Sequence, residues 1–207
     1  VANAENISKV VDILVSESKQ DTVICVVSAL GGTTDVLLKA GELANKKNDT
    51  YIDVFESIKA RHLQCVSQLF NSASKDNIIE NVEAKLNKLK DILQGIYLIN
   101  EFSDKTKDKV LAYGELLSSY IVAEAVKAKE NNSALKDSRE LILTDSNFSS
   151  ANVQSEITSG NIQKQFKNST AKITVLPGFV SRNALGETTT LGRGGSDLTA
   201  SLIASAL

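Results

Sequence analysis

The sequence predicts an α/β layered fold in a single domain, and three observations carry that prediction. Two short β-branched runs, TVICVVSAL (22–30) and AKITVLPGFV (171–180), lie far apart in the chain, each interrupted or followed by glycine. Such continuous apolar runs suit strands buried on both faces. Helical patterns precede and follow the first run, and the pattern stays helix-rich from 33 to 130. No Pro- or Ser-rich linker, internal repeat or low-complexity tract divides the 207 residues.

Each element follows from its own pattern. Residues 3–19 place Ile7, Val10, Val11, Ile13 and Leu14 at helical spacing, and Asp21-Thr22 ends the run. The first strand stops at Gly31-Gly32, and TTDVLLKAGELANK restarts a helix with Thr33 or Thr34 as its N-cap. Three apolar stripes of period 3.6 follow at 51–70, 78–99 and 107–129, with Lys/Glu-rich faces toward solvent. The only proline is Pro177, so nothing breaks them. Strand patterns return at ALKD (134–137) and ELILTD (140–145), followed by a polar stretch and then the second strong strand. SRNALGETTT (181–190) reads as a hairpin or an ordered loop.

Composition excludes several classes of function. A formal charge of −2 offers no electrostatic case for nucleic acid or an acidic membrane. No apolar run approaches the ~18 residues of a membrane span, and no signal peptide is evident. Cys25 and Cys65 lack metal-ligand spacing and His62 is the only histidine, so buried thiols and no metal site are expected. The lack of a disulfide framework points to the cytoplasm. Methionine is absent even at position 1, so the chain is expected to be a piece of something longer.

Chemistry is expected where strand ends carry small or polar groups: Ser28 to Thr34, Thr144-Asp145, and Pro177 onward to Asp197. Gly31-Gly32 alone reads equally as a plain turn. The segment TTLGRGGSD (189–197) is harder to dismiss, because Gly192, Gly194 and Gly195 let backbone N–H groups approach a ligand. Arg193 adds a planar fork for a carboxylate or phosphate. The spacing matches neither a P-loop nor a dinucleotide fingerprint. Asp197 reads either as an N-cap or as an acid that orients a lysine or metal. Glu115, after Gly114 in an otherwise apolar helix, is either an exposed surface acid or a partner for Arg193. Together the pair would clamp the ammonium and carboxylate of a free amino acid.

Four motifs then carry a resemblance. VVSALGGTTDVLL (26–38), YGELLSS (113–119), LTDSNF (143–148) and PGFVSRNALGETTTLGRGGSDLTA (177–200) are similar to aspartokinases of the amino-acid kinase superfamily. GIYLINEFSDKT (95–106) is closer to the kinase portion of bifunctional aspartokinase–homoserine dehydrogenases. The resemblance implies a three-layer αβα sandwich of the carbamate kinase-like type, with residues 1–207 forming mainly the amino-acid-binding lobe. It implies phosphorylation of the β-carboxylate of L-aspartate by ATP with Mg2+, the first step toward lysine, threonine and methionine, in a homo-oligomeric enzyme.

By motif, Arg193 holds the substrate α-carboxylate and Glu115 its α-ammonium. Ser28 and Thr34 touch the substrate, Gly194, Gly195 and Ser196 line it, and Phe179 walls the pocket. Gly31 and Gly32 fall on the cofactor side, and Asp197 orients the catalytic lysine. A β-carboxylate with a pKa of about 4 is ionised at neutral pH, so no general base is required. Family members carry a Lys-Phe-Gly-Gly strand before the first helix and an ATP-binding half after the last. With both outside this chain, no kinase activity is expected of it alone. Two other readings stay open: another amino-acid kinase, and a non-catalytic regulatory or dimerisation module built on the 50–130 helices.

Overall fold

A computed structural model describes residues 3–207, apart from the side chains of residues 72 and 73. Helix α1 (Ala4–Glu17) is capped by Asn3, whose side chain accepts the Asn6 N–H at 2.9 Å. Strand β1 (Val23–Val27) leads into α2 (Thr33–Asn45), α3 (Tyr51–Leu69) and α4 (Ser72–Ile99). Then come α5 (Asp104–Leu111), α6 (Tyr113–Lys127), β2 (Ser133–Leu135), a 3-10 turn (Ser138–Glu140) and β3 (Leu143–Thr144). The chain closes with α7 (Ser155–Lys167), β4 (Ile173–Pro177), β5 (Val180–Asn183), β6 (Thr188–Thr190) and α8 (Gly195–Ala206).

The two apolar runs pair as neighbours. β1 and β2 flank β4 in a parallel sheet of order β1-β4-β2, with Val23 opposite Ile173 and Val27 opposite Pro177. Alternation along β4 sends Ile173 and Val175 into the large core built by α1 to α6. Leu176, with Ile24 and Val26 of β1, joins a smaller core with Ile162 of α7 and Ile203 of α8. The result is three layers, helix–sheet–helix, with the larger helical layer on one face. Among the described residues no helix is long and apolar enough to cross a membrane.

A second sheet, β3-β5-β6, stands beside the first, and its β5–β6 pair is the hairpin expected over 181–190. Asn183 builds its turn by accepting the Leu185 and Glu187 N–H groups at 3.0 and 2.9 Å. The threonines of β6 are all buried and all hydrogen-bonded. Thr188 Oγ1 accepts from Arg139 Nη1 at 3.2 Å, Thr189 Oγ1 lies 2.7 Å from Thr144 Oγ1, and Thr190 Oγ1 donates to Asp108 Oδ1 at 2.7 Å.

Several expectations are corrected. Neither Thr33 nor Thr34 caps α2; Gly32, at φ 77°, holds that place and the helix begins at Thr33. The stripe over 107–129 divides at Ala112 into α5 and α6. The polar stretch after Asp145 contains α7, whose buried face is Thr158, Ile162 and half-buried Phe166 at four-residue spacing. Cys65 is buried and Cys25 half-buried, and burial pushes both thiols up, Cys65 to about 11, which leaves them poor nucleophiles.

One carboxylate joins the helical layer to the second sheet. Buried Asp108 on α5 accepts the Ser149 N–H at 3.0 and 2.9 Å, the Thr190 N–H at 3.0 Å and the Thr190 hydroxyl. Removing it strands two backbone donors away from water. Asp108→Ala is therefore expected to lower stability by about 2–4 kcal/mol, measured by urea unfolding, while exposed Asp53→Ala stays within about 0.5 kcal/mol.

Candidate active site

The first turn of α6 is pressed onto the loop after β1. A Cβ on Gly114 would come within 2.9 Å of the Ala29 Cβ, so glycine there permits the approach. The next residues then read the loop backbone directly. Glu115 Oε1 accepts the Ala29 N–H at 3.3 Å, and Ser118 Oγ donates to the Ser28 carbonyl at 2.7 Å. Glu115 is only 4% exposed, and its second carboxylate oxygen is buried with no partner. Burial pushes its pKa up to about 7, against the opposing Ala29 bond.

From the other side, the chain turns at Phe179, held at φ 64°, where a bulky residue is strained. Two bonds hold it there: its N–H donates to Thr199 Oγ1 at 3.1 Å and its carbonyl accepts the Leu191 N–H at 3.0 Å. Gly194, at φ 74°, is the N-cap of α8 and lets the chain enter the helix directly behind Arg193. Among the described residues, the backbone N–H groups of Ser196 and Asp197, in the first turn, meet no acceptor. Exposed Arg193 makes no ion pair or hydrogen bond among the described residues.

These pieces enclose an open cavity of about 610 Å³. Ser28, Thr34, Glu115, Phe179, Arg193, Gly194, Gly195, Ser196 and Asp197 all line it. Gly31 and Gly32 do not; they form the exposed turn into α2. Thr144 and Asp145 also stay out. Thr144 is buried in the second sheet, and Asp145 folds back on the Asn147 and Asn152 N–H groups, both at 3.0 Å. Asp197 is not a cap, since its side chain makes no capping bond and Gly194 occupies that position.

Sequence reasoning missed the cavity's remaining polar wall. Lys107, Asp35, Ser149 and Thr190 line it as well. Lys107 pairs with Asp104 at 2.8 Å, and Ser149 Oγ donates to the same Asp104 oxygen at 3.3 Å. A signal existed in the spacing, because Lys107, Leu111 and Glu115 stand four residues apart on one helical face. The Asp108 links to residues 149 and 190 had no local signal. Burial raises the Asp108 pKa, while its three donor groups hold it down.

Residues 1–207 match the amino acid kinase family model. Aspartokinase 1, chloroplastic, of Arabidopsis thaliana is 32% identical over 216 residues, covering 100% of this chain and 36% of that protein. Bifunctional aspartokinase/homoserine dehydrogenase 1, chloroplastic, of the same plant is 26% identical, covering 98% of this chain and 22% of that protein. The chain thus spans between about a fifth and two fifths of the length of these curated relatives. Among solved structures, E. coli aspartokinase III in complex with lysine and aspartate superposes with a TM-score of 0.87 at 23% identity, over 99% of this chain and 44% of that one. The same enzyme in complex with aspartate and ADP gives 0.86. This chain is a member of the amino acid kinase family.

Proposed function

We propose that residues 1–207 are the amino-acid-binding lobe of an aspartate kinase. The parent reaction transfers the terminal phosphoryl group of MgATP to the β-carboxylate of L-aspartate, giving β-aspartyl phosphate and MgADP. One observation carries the reading: Arg193 and buried Glu115 open on the same cavity, and among the described residues Arg193 is unpaired and one Glu115 oxygen has no partner. That is the charge pattern of a free α-amino acid. The named aspartokinases, and the aspartate in both E. coli aspartokinase III complexes, support aspartate as the substrate.

In this reading the Arg193 fork takes the α-carboxylate and ionised Glu115 the α-ammonium. The hydroxyls of Ser28, Thr34 and Ser196 supply further hydrogen bonds, and Phe179 closes the wall. The substrate's β-carboxylate is already ionised, so the site needs position and charge rather than a base. The first-turn amides of α8, unpartnered among the described residues, suit negative charge; Gly194 leaves open space beside them, and Gly195 lets Phe179 pack against the turn. Lys107 adds a second cation, and Asp197, which lines the same cavity, is the acid this reading assigns to orient a catalytic lysine. Among the described residues no three His, Cys, Asp or Glu side chains gather into a metal-binding group. The residues present therefore do not fit a dedicated Mg2+ cage, and no step here runs through the ion. A kinase for an N-acylated amino acid would have no use for a buried Glu115, which disfavours that alternative.

Calorimetric titration with L-aspartate tests the reading. Arg193→Ala should weaken binding by about 30-fold or more, and N-acetyl-aspartate should not bind; equal affinity in Arg193→Ala sinks the assignment. Glu115 also sets a pH dependence. Its carboxylate is mostly protonated below its pKa of about 7, so aspartate should bind about tenfold more weakly at pH ~6 than at pH ~8. Glu115→Gln should flatten that profile.

The same carboxyl has a stability sign. Its folded pKa lies above the unfolded value, so its contribution is fully present below the unfolded pKa and is lost as pH rises through about 7. At pH ~8, Glu115→Gln should therefore unfold at higher urea, with a gain on the order of 2 kcal/mol. An unchanged midpoint would contradict the buried, unpartnered carboxylate.

A further inference from the structure

Behind the α5–α6 segment lies a second cavity, of about 330 Å³. The segment is the wall between the two cavities: Lys107, Leu111 and Glu115 face the front one, while Lys109, Tyr113 and Leu116 face the back one. The back cavity carries four cations, Lys85, Lys88, Lys109 and Arg139, against a single carboxylate, Asp137. Asp137 is already engaged. Its two oxygens take Arg139 Nε at 3.0 Å and Nη2 at 2.6 Å, and Arg139 Nη1 donates to Thr188.

Three ammonium groups remain. None forms an ion pair among the described residues, and Lys109 feels Glu187 only from a distance. Lys85 is half-buried, with its ammonium 5.1 Å from the centroid of the Tyr120 ring. Burial, then the neighbouring Lys88, lower its pKa; Asp137 opposes them and Arg139 adds to them. Lys88 and Lys109 reach the cavity from exposed positions, and half-buried Lys85 is the one of the three drawn inward. Lys85, Lys88 and Ile92 form one stripe of α4 that lines the cavity, whereas Lys90 on the same helix stays outside the lining. A chain of net charge −2 has gathered positive charge around one partly open cavity.

We propose that this back cavity binds a compact phosphoryl anion, held by Lys85, Lys88 and Lys109 beside Arg139. Ammonium groups act as point charges that suit a tetrahedral, multiply charged anion. A carboxylate ligand would call for a free guanidinium fork, and Asp137 fills that of Arg139, the one arginine in this lining. The hydroxyls of Tyr113, Ser119 and Thr188 in the lining offer further donors. The proposal does not rest on what the front cavity binds.

Inorganic pyrophosphate is the probe, titrated calorimetrically into the chain at ~50 mM salt. Binding should fall by about tenfold or more in Lys85→Gln/Lys88→Gln, and similarly in Lys109→Gln, whose change lies on a different helix. It should stay within about twofold in Arg193→Ala and in the matched surface control Lys90→Gln/Lys127→Gln. Thermal melts confirm that each variant is folded, and pyrophosphate should raise the melting temperature of the wild-type chain but not of the Lys85/Lys88 variant. The proposal is overturned by absence of binding, by loss in Arg193→Ala with retention in Lys85→Gln/Lys88→Gln, or by equal loss in the surface control.

Discussion

The buried Asp108 carboxylate is the constraint on which the rest of the site depends. It is one group on a two-turn helix, yet it takes donors from two distant segments, the loop at Ser149 and strand β6 at Thr190. Both partners line the front cavity, as do Lys107 and Leu111 on either side of Asp108 in the chain. The carboxylate therefore sets the distance between a helical wall and a sheet wall. Buried and fully engaged in hydrogen bonds, it acts as a rigid spacer, since any rotation would leave backbone donors unsatisfied.

A second fixed point is the contact of α6 with the loop after β1. Glu115 and Ser118 both bond the backbone of residues 28–29, and Gly114 permits the close approach. The geometry explains how an ionisable group stays inside. One Glu115 oxygen has a backbone partner and the other has none, and among the described residues the carboxyl forms no ion pair. Such a group costs stability unless something positive joins it, which is the behaviour expected of a binding residue rather than of a structural ion pair.

The layered class, the two core strands and the long helices were legible because each follows from local periodicity. β-branched runs of a few residues and stripes of period 3.6 need no knowledge of the rest of the chain. α7 was not legible, because its buried stripe is led by a threonine and interrupted by few other apolar residues. The division at Ala112 was hidden for the opposite reason, since the apolar pattern runs through it unbroken. Cap positions misled because Gly32 and Gly194 do through left-handed backbone what Thr33, Thr34 or Asp197 would have done through a side chain. In the site, Arg193, Glu115 and the glycines stood out as unusual residues in a dense motif. Asp108, Ser149 and Thr190 did not, because bonds across 41 and 82 residues leave no trace in spacing.

The shared wall between the two cavities bears on how variants of this chain combine. Lys107 and Lys109 are two residues apart but open on opposite sides of α5, with Asp108 between them bonded to both β6 and the 149 loop. A change on one side can move the register of the wall seen from the other, so pairs of substitutions there are poor candidates for simple additivity. Sequence drift along α5 and α6 would then be correlated rather than site-independent, and tolerance at one position would depend on which residue already occupies its neighbour.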